Sequence, residues 1–308
     1  MRPKHVEWFR VGARTLRAVA RETGREDGFL TEEDWYLCPL CLNVMLTAEE
    51  FETGELTVEH VPPKALGGKD LVLTCRKCNN EHGSQFDSAA YHAHQARSFA
   101  SGESSQTIVA RFGIDGIESN VFLRRVGLGG FYLTGDPRIS NPSDKERLES
   151  HMEMLGESGE TGFKVTISAR MKYDPDRARV SWMRTGYLVA FALLGWKYIL
   201  RSTLQPIRDH LAGGSTGELP ILSAYDAERD PRGRQIWIMQ QPNGHECLLV
   251  TIGQHMVFLP GPKDFRTLEE VSASIGARAN KKLQYSLSGK PLPWPSGPLH
   301  LLDPPPGS

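Results

Sequence analysis

No stretch of this chain is apolar for long enough to cross a bilayer. The most hydrophobic run, 187–196, is ten residues held between Arg184 and Lys197, about half of the roughly 20 that a spanning helix needs. Such a run suits a buried helix, and no membrane partner is expected. A continuous apolar segment behind a positive start, the mark of an export signal, is also missing, so the cytoplasm is the expected location. There is no excess of charge of one sign: 36 Lys and Arg against 37 Asp and Glu leave a net −1. No global positive field marks a nucleic-acid ligand, and any surface for one must be local. Cysteine is scarce, five in 308 residues. Without an export signal that scarcity suits a reducing compartment, where paired cysteines hold metal more often than they form disulfides. No internal repeat is present.

With 39% hydrophobic and 24% charged residues the chain has an ordinary globular composition, and its length suits one large domain or a small one joined to a larger. The first 25 residues carry Arg2, Lys4, Arg10, Arg14, Arg17, Arg21 and Arg25 against only Glu7 and Glu22. Val6, Phe9, Leu16 and Val19 fall near helical spacing, which predicts a basic amphipathic helix within 1–30. The ordinary reading of its arginines is a solvated face; the sharper one is a phosphate-contacting arm.

Residues 31–97 read as a compact module: a knuckle, a strand over 56–61, a Pro/Gly turn (Pro62, Pro63, Gly67, Gly68), a short strand and a helix from about 79. After a polar stretch at 98–105 the segments at 107–112, 121–125 and 131–134 are strand-like. Ser143 with Glu146 opens a helix through 155 by a capping-box pattern. A half-buried strand is expected over 163–170, one long apolar helix over 178–200, and strands at 235–239, 247–252 and 256–259. We therefore expect an α+β accessory domain over 106–288 and an extended proline-rich tail over 289–308. Trp182, Tyr187, Phe191, Trp196 and Tyr198 read as core, as does Cys247 in its strand-like run. His92 and His94 read as surface histidines.

Cys38-Pro-Leu-Cys41 and Cys75-Arg-Lys-Cys78 are two C-x2-C knuckles. Four thiolates close a tetrahedral zinc shell with no position left open, so a structural zinc is expected. The gap between the knuckles exceeds that of a simple ribbon, and the insert contains the chemistry: Glu59-His60-Val61-Pro62-Pro63, Gly67-Gly68-Lys69-Asp70-Leu71, and then Cys78-Asn79-Asn80-Glu81-His82.

Over about fifty residues this segment resembles the HNH endonuclease family, in the branch with a Glu-His pair and a final Cys-Asn-Asn. The resemblance implies a ββα-metal module that hydrolyses phosphodiester bonds in DNA, with RNA not excluded. It implies that His60 is the general base, which an imidazole can be at neutral pH. It implies that Glu59 and Asn79 ligate a catalytic divalent ion, with His82, one helical turn after Asn79, as a further ligand or phosphate contact. Asp70 stands where the family has its middle Asn and can orient the base by accepting from an imidazole N–H. Oxygen-rich ligation suggests magnesium or manganese, and a histidine ligand brings in nickel or zinc. Lys64, Arg76 and Lys77 are candidate phosphate contacts. By analogy with stand-alone proteins of this kind, a role in restriction or phage defence is expected. The competing readings are a catalytically silent zinc-ribbon module that grips nucleic acid with its knuckles and basic helix, and an interaction subunit whose large C-terminal domain recruits the nuclease to a protein partner; a homo-oligomer is compatible with each.

Overall fold

The structure, a computed structural model, describes residues 2–24, 34–102, 107–127, 129–159, 162–169, 174–213, 219–220, 223–241, 246–263, 266–279 and 288–304. Arg25, the boundary at 103–106 and the end of the tail at 305–308 lie outside the described residues. The chain forms two compact units, Met1–Ser88 with Asp176–Ser308, and Ala89–Pro175. The architecture is mixed α+β.

The first unit opens with helix α1 (Pro3–Glu22), which has proline in its first turn and buries Trp8, Phe9, Ala13, Leu16 and Val19 along one face. Strands β1 (Tyr36–Leu37) and β2 (Met45–Leu46) form the first knuckle, followed by the single turn α2 (Glu50–Thr53). An antiparallel hairpin of β3 (Leu56–Val61) and β4 (Lys69–Cys75) leads directly into helix α3 (Arg76–His82). The second knuckle thus lies at the helix start, three residues before the expected beginning. The hairpin turn explains its double glycine. Gly67 adopts φ +76°, and a Cβ on Gly68 would collide with the carbonyl of Pro62.

The second unit takes up helix α4 (Ser88–Ser101), whose His92 and His94 are exposed, and strands β5 (Thr107–Ile114), β6 (Ile117–Val126) and β7 (Gly130–Thr134). Helix α5 (Pro142–Ser158) and strand β8 (Val165–Ser168) complete it. Its sheet order is β7-β6-β5-β8, and Ala110, Phe112, Val121 and Leu123 pack with Leu148 and Leu155 of α5 in a core of its own.

The chain then returns to the first unit with α6 (Pro175–Leu194), α7 (Trp196–Ile199) and α8 (Gln205–Leu211). Strands β9 (Ser223–Tyr225), β10 (Arg234–Gln241), β11 (Cys247–Ile252) and β12 (His255–Leu259), helix α9 (Leu268–Ala279) and strand β13 (Ser288–Leu292) follow. The five strands form one antiparallel sheet in the order β13-β10-β11-β12-β9. The expected helix over 178–200 is broken at Gly195, which has φ +88°. The Asp303 carboxylate occupies the space of its absent Cβ and accepts from the backbone N–H groups of Trp196 and Lys197 at 2.8 Å each, capping α7.

These unit limits differ from the boundaries read in the sequence. Trp8, Phe9 and Leu16 of α1, the strands of the hairpin, and Tyr187 to Leu194 of α6 belong to one buried cluster. The physical reason is size: a fifty-residue module cannot bury enough apolar surface alone, and α6, apolar nearly all round, needs cover on every side. Among the described residues no helix is long and apolar enough to cross a membrane.

Candidate active site and metal centre

The sulfur atoms of Cys38, Cys41, Cys75 and Cys78 all lie within 4.8 Å of one another. A zinc tetrahedron with bonds of about 2.3 Å has edges of about 3.8 Å, so the quartet fits this ion with small adjustments. The local fold explains the convergence. Cys38 opens a tight turn closed by Leu42 N–H to its carbonyl at 2.9 Å, while Cys75 caps α3 and places Cys78 one turn on. Backbone N–H groups point at the sulfurs, from Cys75 to Cys38 at 3.4 Å and from Cys78 to Cys75 at 3.5 Å. Burial pushes the Cys38 thiol well up, whereas the hydrogen bond with Cys38 draws Cys75 down to about 7. Crowded thiols that cannot ionise together are relieved by a divalent cation.

The remaining site residues divide between the two faces of the hairpin. The sequence reading has Glu59 near a strand end, able to turn toward the same site as His60, but β3 continues to Val61. Alternation then sends the two side chains to opposite faces. On one face, His60 Nε2 meets Asp70 Oδ1 at 3.2 Å. A bulge places these two opposite each other: Glu59 pairs with Val72 and His60 with Asp70, leaving Leu71 as the extra residue of β4. The other oxygen of Asp70 receives Lys4 Nζ at 2.8 Å and His5 Nε2 at 3.2 Å, with Arg2 at 3.6 Å. Lys4 first, and His5 after it, hold the Asp70 carboxyl down at about 2. Burial lowers the pKa of His5, which favours its neutral form and leaves Nε2–H to donate.

On the opposite face, the Glu59 side chain is buried and its carboxylate lies 2.6 Å from a guanidinium nitrogen of Arg184. The same guanidinium reaches Asp87 at 3.2 Å and donates from Nε to His82 Nδ1 at 3.2 Å. Ser181 adds a hydroxyl to Asp87 at 2.8 Å. Burial pushes Glu59 up to about 7 against the pull of Arg184, and burial likewise raises Asp87. His82 donates from Nε2 to the Leu211 carbonyl at 2.8 Å, and burial, with Arg184 next, brings its pKa down to about 4. Asp87 ends a π-helical turn, Gly83–Asp87, that shifts the helix register between α3 and α4. Asn79, also on this face, donates from Nδ2 to Thr57 Oγ1 at 2.9 Å.

Glu59, Asn79 and His82, as arranged, do not fit a divalent ion. The guanidinium of Arg184 already sits where Glu59, Asp87 and His82 converge, and both ring nitrogens of His82 are engaged. Arg184 is 1% exposed, so it acts as a buried internal counter-ion. Removing one partner of a buried charge cluster leaves the others unpaired in a medium of low dielectric. Arg184→Met should therefore lower stability by about 3–5 kcal/mol in urea denaturation, and adding Glu59→Gln to that variant should recover part of the loss. A single variant as stable as the parent would show that the cluster carries no folding energy.

The other basic candidates are dispersed. Lys64, Arg76 and Lys77 are exposed, Arg76 facing Glu55 at 3.4 Å, while Arg10 and Arg14 are exposed on α1 and Arg17 pairs with Asp34 at 3.2 Å. Sequence reasoning missed Lys4 and His5 as partners of Asp70, and Arg184 as the shared partner of Glu59 and Asp87. One signal was available for the last: an arginine within an apolar helix implies a buried carboxylate beside it.

A hairpin followed by a helix, closed by four cysteines that could hold a metal ion such as zinc and carrying a histidine–carboxylate pair, defines a ββα module. Residues 46–94 match the family model described as HNH endonuclease, and the chain therefore contains an HNH endonuclease domain. No curated protein and no solved structure matches the chain.

Proposed function

We propose that the chain hydrolyses phosphodiester bonds in DNA, with His60 as the general base. The observation that carries this reading is the His60–Asp70 pair on a side chain that is 35% exposed. With Nε2–H donating to the carboxylate, the imidazole is held in one tautomer, and Nδ1 keeps the lone pair that takes a proton. Water attacks phosphorus as its proton passes to Nδ1; the bond to the leaving oxygen breaks, and that oxygen takes a proton from solvent. The four cysteines hold a structural zinc that keeps hairpin and helix together. A role in restriction or phage defence, with the C-terminal part of the chain recruiting a partner, extends this reading by analogy.

A second reading is favoured by one specific observation: Glu59 and His82 are committed to Arg184 and Leu211. On that reading the module grips nucleic acid and does not cut it. Supercoiled plasmid incubated with the zinc-loaded chain, alone and with added magnesium or manganese, separates the two. Nicking that depends on His60 is the expected result; retarded but intact plasmid under every condition would leave the silent binder.

A further inference from the structure

We propose that the first turn of α1 belongs to the reaction site, with Lys4, and Arg2 beside it, holding the phosphate on which His60 acts. The proposal rests on the nuclease reading above and adds a source of positive charge that the HNH motif does not contain. Lys4 and His60 occupy the two oxygens of one carboxylate, so a single Asp70 separates ammonium from imidazole. Around that carboxylate the charges do not cancel, because Arg2 and Lys4 bring two positive charges to one negative. Neutral His5 donates without adding charge.

The surplus is accessible. The side chains of Arg2 and Lys4 are 74% and 47% exposed, and Lys4 is steadied over the Trp8 ring at 5.2 Å. Helix α1 starts at this point with no acidic residue in its first turn and no side-chain cap, so its N-terminal partial charge adds to the same field. On the other face of the hairpin the cation beside Glu59 is already committed. Arg184 is buried and engaged by Glu59, Asp87 and His82. An incoming phosphodiester can take Lys4 and Arg2 in exchange for part of their hold on Asp70, while Asp70 keeps His60 oriented. His5 is then a positioning residue, acting on His60 only through the carboxylate.

The test uses the full zinc-loaded chain in two arms. In a His60→Ala background, where DNA stays intact, anisotropy of a labelled duplex is followed against sodium chloride. Lys4→Gln should reduce the salt slope of binding by about 1, and Lys4→Gln with Arg2→Gln by about 2, one for each phosphate no longer neutralised. With His60 intact, Lys4→Gln should lower kcat on the order of 10²-fold with a smaller change in KM, and Lys4→Arg should restore most of it. An unchanged salt slope overturns the proposal, since a lysine that only props up Asp70 leaves every phosphate interaction in place. A parent that binds but never cuts sinks the nuclease reading instead, and the salt slope still decides whether the first turn meets phosphate.

Discussion

Cys38→Ser or Cys75→Ser is expected to release zinc and unfold the first unit of the chain, abolishing DNA binding and cleavage together. Structural zinc in peptide-sized sites contributes roughly 10–16 kcal/mol, which appears as folding energy because no preformed site exists in the unfolded chain. Whole domains are stable by only about 5–15 kcal/mol, so no ordinary reserve offsets the loss. The damage should spread beyond the knuckles. Cys38, Cys75 and Cys78 are buried in one cluster with Tyr36, the hairpin, α1 and α6, and the Tyr187 hydroxyl donates to the Pro39 carbonyl within the first knuckle at 2.8 Å. The unit Ala89–Pro175 has a separate core. Hydrogen exchange on the Cys38→Ser chain should therefore show lost protection in β3, β4 and α6 with protection kept in β5 and β6. Cys247→Ala, buried in β11 away from the quartet, should keep one zinc by atomic absorption and a nearly unchanged circular-dichroism melt. A Cys38→Ser chain that melts like the parent would remove the quartet from the folding argument.

The parts of this arrangement that were legible in the sequence are those governed by short spacing. Two C-x2-C pairs, an acid–histidine pair on a strand, a double-glycine turn and an amphipathic helix each show themselves within a few residues, and each appears as an element or contact. Asp70 was singled out only through the resemblance, as the residue in the place of the family's middle Asn, and the structure sets it 3.2 Å from His60. What remained hidden depends on position along a strand or on distant pairing. Whether Glu59 shares a site with His60 turns on where β3 ends, and strand ends are the least legible feature of a sequence. His82 and Arg184 are 102 residues apart, and no local pattern joins them. The unit boundaries were obscured for the same reason. Helix α6 follows a complete sheet and reads as part of it, yet its apolar surface is buried with the module rather than with the strands that precede it.

His60→Ala should lower the rate of plasmid cleavage by about 10²–10⁴-fold, the usual contribution of a positioned general base, while folding, zinc content and DNA affinity stay close to those of the parent. The separation is expected from position. His60 is partly exposed on the hairpin face that carries Asp70, it is absent from the buried cluster, and its one close polar partner among the described residues is a carboxylate that Lys4 and His5 also hold. Truncation therefore removes a proton acceptor without opening a core cavity or leaving Asp70 unpaired. Asp70→Asn separates orientation from proton transfer. An amide oxygen can still accept from His60 Nε2, so the tautomer survives, but the negative charge that stabilises the developing imidazolium is gone. That variant should cut more slowly than the parent and faster than His60→Ala, with the DNA-binding salt slope unchanged or steeper because Lys4 and Arg2 are released toward phosphate. If His60→Ala cuts as fast as the parent, the base lies elsewhere. If it loses zinc and unfolds, His60 belongs to the structural framework and the second, non-cutting reading gains the ground.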